Sequence, residues 1–170
     1  MNPPLPNSYW VVPGRLLAGE HPFGESPVDA QDRLALLRTA GMDYFIDLTE
    51  AHEMPNYRLL LPRRAEYVRR AIPDQQVPSD VALMRDIQAL IETAAENQRG
   101  IYIHCRAGIG RTGTVVGCYL IEHGLDGKTA LEQLNRLWQQ SERSKSWPKV
   151  PQTDAQAEYI RRWSAQRKSS

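Results

Sequence analysis

Residues 101 to 121 read IYIHCRAGIGRTGTVVGCYLI. The opening IYI has the apolar character of a buried strand and the closing VVGCYLI that of a buried helix. Between them lie His104, Cys105, two loop glycines and Arg111. A chain that passes from strand to helix in so few residues must curl its backbone, and the first N–H groups of the new helix have no partner within it. Two apolar elements joined in this way pack as neighbouring layers, so the stretch predicts an α/β domain with unusual chemistry at the strand–helix junction.

The remainder of the chain agrees with one such domain. Its 170 residues can bury a core and are too few for two ordinary domains, so residues 1–170 are expected to form a single domain with 1–7 and 167–170 as flexible ends. A hydrophobic content of 41% and a charged content of 24% exclude disordered and fibrous classes, while a net charge of +1 excludes no partner class. Two cysteines, Cys105 and Cys118, are too few for a disulfide framework and fit a reducing, cytoplasmic setting. The start MNPPLPNSYW has neither a basic stretch nor an apolar segment of the signal-peptide kind, and the longest apolar run, 115–121, is far short of the roughly 20 residues that span a bilayer.

Along the chain, WVV and RLLAG predict two short strands around a Pro13-Gly14 turn. Ser26, Pro27 and Asp29 predict a capped helix that buries Leu34 and Leu37 and stops at Gly41, with YFIDL as the next strand. Residues 49 to 63 have no clear period and read as a loop; EYVRRAI alternates like a strand and Pro73 ends it. Ser79 is placed to cap a helix through Leu83, Ile87, Leu90, Ile91 and Ala94, with Gly100 closing the turn before IYIH. Helices over 127–140 and 154–166, the latter capped by Thr153, complete the chain.

The junction admits several readings. GIGRTG at 108–113 satisfies the glycine pattern of dinucleotide sites, but such a site needs a second parallel strand and an acidic ribose partner, and the next segment, DGKTALEQLNRLWQQ, is helical. A nucleotide P-loop needs lysine where Arg111 stands. His104, Cys105, Cys118 and His123 are ligand-type residues without a C-x-x-C pair, and no metal is expected. The remaining reading is an anion cradle. Successive N–H groups point into the curl, Gly108 and Gly110 supply positive φ or close approach, and Arg111 forks two hydrogen bonds onto phosphate oxygens. Cys105 then lies among N–H groups, a helix N-terminus and a guanidinium, surroundings that favour a thiolate, and it faces a bound phosphate ester for in-line attack. Cys105 as a small buried apolar residue at a strand end is the plainer alternative, and it leaves the glycines and Arg111 unexplained.

The string HCRAGIGRTGT matches the signature H-C-x-x-G-x-x-R-[ST]-G of the cysteine-dependent phosphatases at every fixed position. With SYWVVPGRLLAG, IPD at 72–74 and GTVVGCYLI, the chain resembles a small atypical dual-specificity phosphatase over most of its length. The resemblance implies an α/β fold, protein tyrosine phosphatase-like, with a central mixed sheet of about four to five strands flanked by helices. It implies one catalytic domain that uses no metal or other cofactor. The expected reaction is hydrolysis of phosphotyrosine, and of phosphoserine or phosphothreonine, in proteins through a phosphocysteine intermediate. Carried onto this chain, Cys105 is the nucleophile and Arg111 the phosphate clamp. Arg106, Ala107, Gly108, Ile109 and Gly110 complete the cradle, Thr112 steadies the leaving thiolate, and His104 shapes the loop.

A leaving phenolate or alkoxide needs a proton. Asp47, Glu53, Asp74 and Asp80 are all placed at strand ends or loops, and the residues alone do not choose among them. The likeness of IPDQQVP to the family's mobile acid loop selects Asp74. PQTDAQAEY is similar to the Q-T-x-x-Q loop of tyrosine-specific phosphatases, which makes Gln156 an orienter of the hydrolytic water; T-D-A-Q is equally a helix capping box with Gln156 at its fourth position. TEAHEMPNY is read either as a pocket wall presenting Tyr57 or His52 to a substrate ring or as an exposed loop.

Arg58, Arg63, Arg64, Arg69 and Arg70 suit steering of acidic substrates or a solvated face, although strand alternation sends Arg69 and Arg70 opposite ways. Relatives acting on polyphosphorylated inositol lipids tend to carry lysines in the cradle, whereas this chain has Arg106, Ala107, Ile109 and Gly110 there, so the resemblance argues against phosphoinositide substrates. No basic–aromatic track predicts a nucleic-acid partner, although an RNA 5′-phosphatase of the same fold stays open. The expected partners are a phosphorylated protein or peptide, with phosphate or vanadate as site ligand. Competing functions are a phosphopeptide-binding module without turnover and a nucleotide-dependent oxidoreductase.

Overall fold

The computed structural model describes residues 1–24 and 27–168. Among these, five strands, β1 (Ser8–Val12), β2 (Leu16–Gly19), β3 (Met42–Asp47), β4 (Glu66–Arg69) and β5 (Gly100–His104), form one sheet in the order β1-β2-β5-β3-β4. β1 is antiparallel to β2 and the other pairings are parallel, so the sheet is mixed, as expected. Five helices accompany it: α1 (Ala30–Thr39), α2 (Val81–Glu96), α3 (Arg111–Glu122), α4 (Gly127–Trp138) and α5 (Asp154–Lys168). Among the described residues no helix is long and apolar enough to cross a membrane.

The two-residue alternation of the strands sorts the core into two layers. Leu16, Ala18, Ile46, Ile101 and Ile103 face a cluster with Met84 and Ile87 of α2, Val115 of α3, Leu134 of α4 and Ile160 of α5. Trp10, Leu17, Phe45 and Tyr102 face a second cluster with Leu34 and Leu37 of α1 and with Tyr57. α3 is buried around nearly its whole first two turns. Its Gly117 removes the side chain that would strike Ile160, which lets α5 close over α3.

Several local expectations are corrected. Asp80, not Ser79, caps α2: its Oδ1 accepts from the Leu83 N–H at 2.8 Å. The turn after α2 is closed by Gln98 at φ 56°, while Gly100 already belongs to β5, where a side chain would strike the Gly41 carbonyl. Ser26 lies outside the described residues; α1 follows a 3-10 turn at Pro27–Asp29 without a side-chain cap bond. The opening segment is no free arm, because Leu5 is buried in the α1-side cluster and the Ser8 hydroxyl donates to its carbonyl. At the other end α5 continues to Lys168, past the expected boundary at 166.

The sheet also places the functional segments. His104, the last residue of β5, is level with Gly19 of β2 and Asp47 of β3, so the loop that follows rises between two flanking strand ends. Beyond β4, Arg70 N–H donates to Asp47 O and Ile72 N–H to Leu48 O, carrying the chain up to the same edge. Pro73, which has no N–H, ends that pairing and leaves Asp74 above the edge.

Candidate active site

The loop after β5 is shaped by tying its carbonyls outward. His104 Nδ1 lies 3.1 Å from the Cys105 carbonyl, the His21 N–H donates to the Arg106 carbonyl at 3.1 Å, and Arg143 Nη1 donates to the Ala107 carbonyl at 2.6 Å. A trans peptide carries its N–H opposite its C=O. Each tie therefore turns the following N–H, of Arg106, Ala107 and Gly108, toward the inside of the curl. Among the described residues no protein acceptor takes the N–H groups of residues 106 to 110. The two glycine roles divide: Gly108 has φ +77° and lies where a Cβ would be 2.6 Å from the Gly19 carbonyl carbon, whereas Gly110 has negative φ and makes room for Gln156, 2.8 Å from where its Cβ would be.

Cys105 is buried at the base of this curl and Arg111 opens α3 at its end, close enough for their charges to interact. The Arg111 side chain is only 2% exposed and Glu53 grips it as a fork, with Nη1 2.7 Å from Oε2 and Nη2 2.9 Å from Oε1. Nη1 also donates to the Ile72 carbonyl at 2.9 Å, and Nη2 lies 3.2 Å from Asp74 Oδ1. The guanidinium is thus aimed by residues from the 49–65 loop and the 72–77 segment.

The four candidate acids separate on their surroundings. Asp47 is fully buried and accepts from the Thr49 N–H, the Thr49 hydroxyl and the Tyr67 hydroxyl, with Arg69 Nη2 at 3.2 Å. Burial pushes its carboxyl up, but the neighbouring His104 imidazole and these hydrogen bonds outweigh it and hold it below the ordinary range. Glu53 behaves alike: burial raises it, the Arg111 hydrogen bonds lower it further, and it stays ionised. Asp80 is spent on its helix cap. Asp74 is 54% exposed, at the rim, and next to Gln75, which takes a left-handed φ of 61°. It is the one of the four that faces both solvent and Arg111.

Beneath the loop, hydrogen bonding fixes the state of His104. A carbonyl only accepts, so His104 Nδ1 carries the proton toward Cys105 O, and its Nε2 accepts from the Tyr57 hydroxyl at 2.6 Å. Burial lowers the His104 pKa, which keeps this neutral form. Tyr57 is therefore no pocket wall: it is buried under the cradle, with its own ionisation pushed well up by burial, while His52 is exposed beside Glu50. Arg69 and Arg70 do point opposite ways, to Asp47 and Asp86, as ion pairs rather than as a patch.

His21, also fully buried, has its pKa pushed down to about 3 by burial first and by His104 second. Its ordinary value is near 6.5, so between those limits the unfolded chain binds a proton that the folded chain refuses. The contribution of His21 to stability is therefore fully present above pH 6.5 and is lost as pH drops toward about 3, by about 1.4 kcal/mol per pH unit. The melting temperature is expected to fall from pH 7.5 to pH 5; an unchanged melting temperature in that interval, followed by circular dichroism, would contradict buried neutral histidines. His21, Asp47 and His104 offer ligand atoms within 4.8 Å of one another. Both His104 nitrogens and both Asp47 oxygens are already bonded, which makes the trio a strut rather than a metal centre. His123 sits at a helix end, bonded to Tyr119 O and Glu92, and burial pushes the Cys118 thiol well up.

Gln156 forms the anticipated cap and also lies beside the loop. Its Oε1 accepts from the Thr153 N–H and the Thr153 hydroxyl accepts from its own N–H, each at 3.1 Å, a complete capping box. Its Nε2 donates to the Gln76 carbonyl at 3.2 Å and its amide lies against Gly110. Thr112 Oγ1 is buried with no hydrogen-bond partner among the described residues, Cys105 Sγ included. Arg106 is exposed. Glu20, Arg143 and the pairing of Glu53 with Arg111 carry no signal in the local sequence.

A cysteine, an N–H-lined loop and an arginine at the C-terminal edge of the central strand of a five-stranded mixed sheet mark the protein tyrosine phosphatase fold. The crystal structure of Tk-PTP in the active form superposes with a TM-score of 0.76 at 25% identity, covering 94% of this chain and 97% of that one. That of the kinase associated phosphatase (KAP) gives 0.75 at 20% identity, covering 91% and 88%. The dual specificity protein phosphatase CDC14A of Homo sapiens is 30% identical over 122 residues, 67% of this chain and 19% of that protein. CDC14AB of Danio rerio is 26% identical over 121 residues, again 67% and 19%. The chain spans less than half the length of the curated relatives it matches. Residues 5–165 match the family model described as Swiss Army Knife protein, DSP-PTPase phosphatase domain (PTP-SAK), and the chain belongs to that family.

Proposed function

We propose that the chain is a protein-tyrosine/dual-specificity phosphatase that hydrolyses phosphomonoesters without a metal ion. The observation that carries this reading is the cradle itself, with three outward-tied carbonyls, inward N–H groups, Cys105 at the base and Arg111 at the opening end. The N–H groups and the guanidinium supply the positive field that a phosphoryl group in transfer requires. The family membership and the phosphatase names of the relatives support the same class of reaction.

In the first step the Cys105 sulfur attacks phosphorus in line, the S–P bond forms, the P–O bond to the substrate oxygen breaks, and Asp74 gives its proton to that oxygen. In the second step Asp74 takes a proton from water as the water oxygen attacks phosphorus. The S–P bond breaks, phosphate leaves and the thiolate returns, with the unpartnered Thr112 hydroxyl free to donate to it. Gln156, which lies between Gly110 and the Gln76 carbonyl, orients that water. The expected substrate is a phosphorylated protein or peptide.

The test is turnover of p-nitrophenyl phosphate near pH 6 in EDTA, with and without vanadate, beside Cys105→Ser. Hydrolysis that vanadate blocks and the variant lacks is expected. Phosphopeptide binding with no phosphate release in the wild-type chain would instead identify a binding module. Peroxide is expected to oxidise Cys105 before Cys118, whose buried thiol resists ionisation; mass spectrometry finding the reverse order would speak against a reactive Cys105.

A further inference from the structure

The third of the outward ties is unlike the other two. His104 ends β5 and His21 follows β2 directly beside it, but the Ala107 carbonyl is held by Arg143, which lies in a 3-10 turn (Glu142–Lys145) after α4. Arg143 is itself anchored: its Nη2 lies 3.0 Å from Oε2 of Glu20, whose carboxylate is 7% exposed. Arg33 of α1 pairs with the other oxygen of Glu20, and the Asn7 amide donates to Oε2 at 3.2 Å. The backbone of the same segment presses on the loop, since a Cβ on Gly108 would lie 3.0 Å from the Glu20 nitrogen and the His21 N–H holds the Arg106 carbonyl. Residues 20 and 21 thus govern two successive loop peptides, one directly and one through Arg143.

We propose that Arg143, anchored by the buried carboxylate of Glu20, is a positioning residue that fixes the Ala107–Gly108 peptide so that the Gly108 N–H faces the bound phosphate. The inference rests on the phosphatase reading of the cradle. Arg143 touches the loop from outside and makes no contact with the reacting atoms. Without it the Ala107 carbonyl loses a charge-assisted donor, and this peptide, beside a residue as permissive as glycine, is free to rotate its N–H away from the anion. Arg143 and Arg33 together also leave one positive charge in excess of Glu20, which favours an anion on the loop.

The experiment compares wild type with Arg143→Met, Arg143→Lys and Glu20→Gln, measuring the competitive inhibition constant of inorganic phosphate, kcat and KM for p-nitrophenyl phosphate, and the melting temperature. Arg143→Met is expected to weaken phosphate about tenfold, the effect of one hydrogen bond to a charged group, and to lower kcat/KM in parallel. Arg143→Lys restores most of the affinity, because the ammonium still donates to the Ala107 carbonyl. Glu20→Gln, which weakens the anchor without removing the arginine, is expected to show a smaller loss in the same direction, and it carries the test should Arg143→Met fail to fold. A lowered melting temperature with wild-type phosphate affinity in Arg143→Met, or in Glu20→Gln if only that variant folds, overturns the proposal, since a brace with no role in aiming the N–H would give that result. Wild-type protein that neither binds phosphate nor hydrolyses the ester overturns the phosphatase reading itself, a different outcome from loss of the Arg143 effect.

Discussion

Arg111→Lys is expected to lower kcat/KM for a phosphomonoester by about 10³- to 10⁵-fold, the range that a transition-state arginine contributes to phosphoryl transfer. The guanidinium offers two parallel donors in a rigid plane, and here both ends of that plane are in use, with Nη1 and Nη2 each bonded to Glu53 and Nη2 also beside Asp74. Lysine keeps the charge but presents a point donor, so it neither forks onto two phosphoryl oxygens nor stays in register with Glu53. The folded chain should tolerate the change better than it would Arg111→Met, which would leave the 8%-exposed Glu53 carboxylate without its cationic partner. Steady-state kinetics on purified, folded variant decides the point, and a loss below tenfold would remove Arg111 from the clamp.

Asp74→Asn is expected to reduce kcat by about 10²-fold or more at unchanged fold stability, the size of a lost general acid. Stability should be spared because Asp74 is half exposed and its closest protein hydrogen bond is to the adjacent Gln75 N–H. The loss should be largest for alkyl phosphates, whose leaving oxygen most needs the proton, and smallest for aryl esters with good leaving groups. Equal losses across a leaving-group series would mean that Asp74 serves only to hold Arg111, and near-wild-type rates would place the acid elsewhere. Glu53 is a poor replacement, because the arginine hydrogen bonds keep it ionised.

The strands, the helices and the cradle were legible because each is written locally. Alternation separates Leu17 from Leu16 and Ala18, helical spacing collects Ile87, Ile91 and Ala94, and the cradle occupies a single short string. Errors of capping came from choosing between adjacent polar residues: Ser79 and Asp80 are both good caps, and only the backbone decides which one turns extended. Tyr57 was misread because a tyrosine in an aperiodic loop gives no sign of burial, and here the loop folds back under the sheet edge to reach His104. Arg143 and Glu20 left no local trace, since their pairing joins residues more than a hundred positions apart and a charge in SERSKSW looks like any solvated turn. Gln156 was ambiguous for a physical reason, in that one amide performs the capping and lies against the cradle at once.

Because the ring of inward amides is held open by ties to His21 and Arg143, and its guanidinium by Glu53, the short signature string carries only the His104 tie of its own scaffolding. Grafted onto another strand–helix junction, or excised as a peptide, those eleven residues would collapse into an ordinary turn whose amides look for the nearest carbonyl. Transplanting the chemistry would require the transplant to bring its remote anchors along.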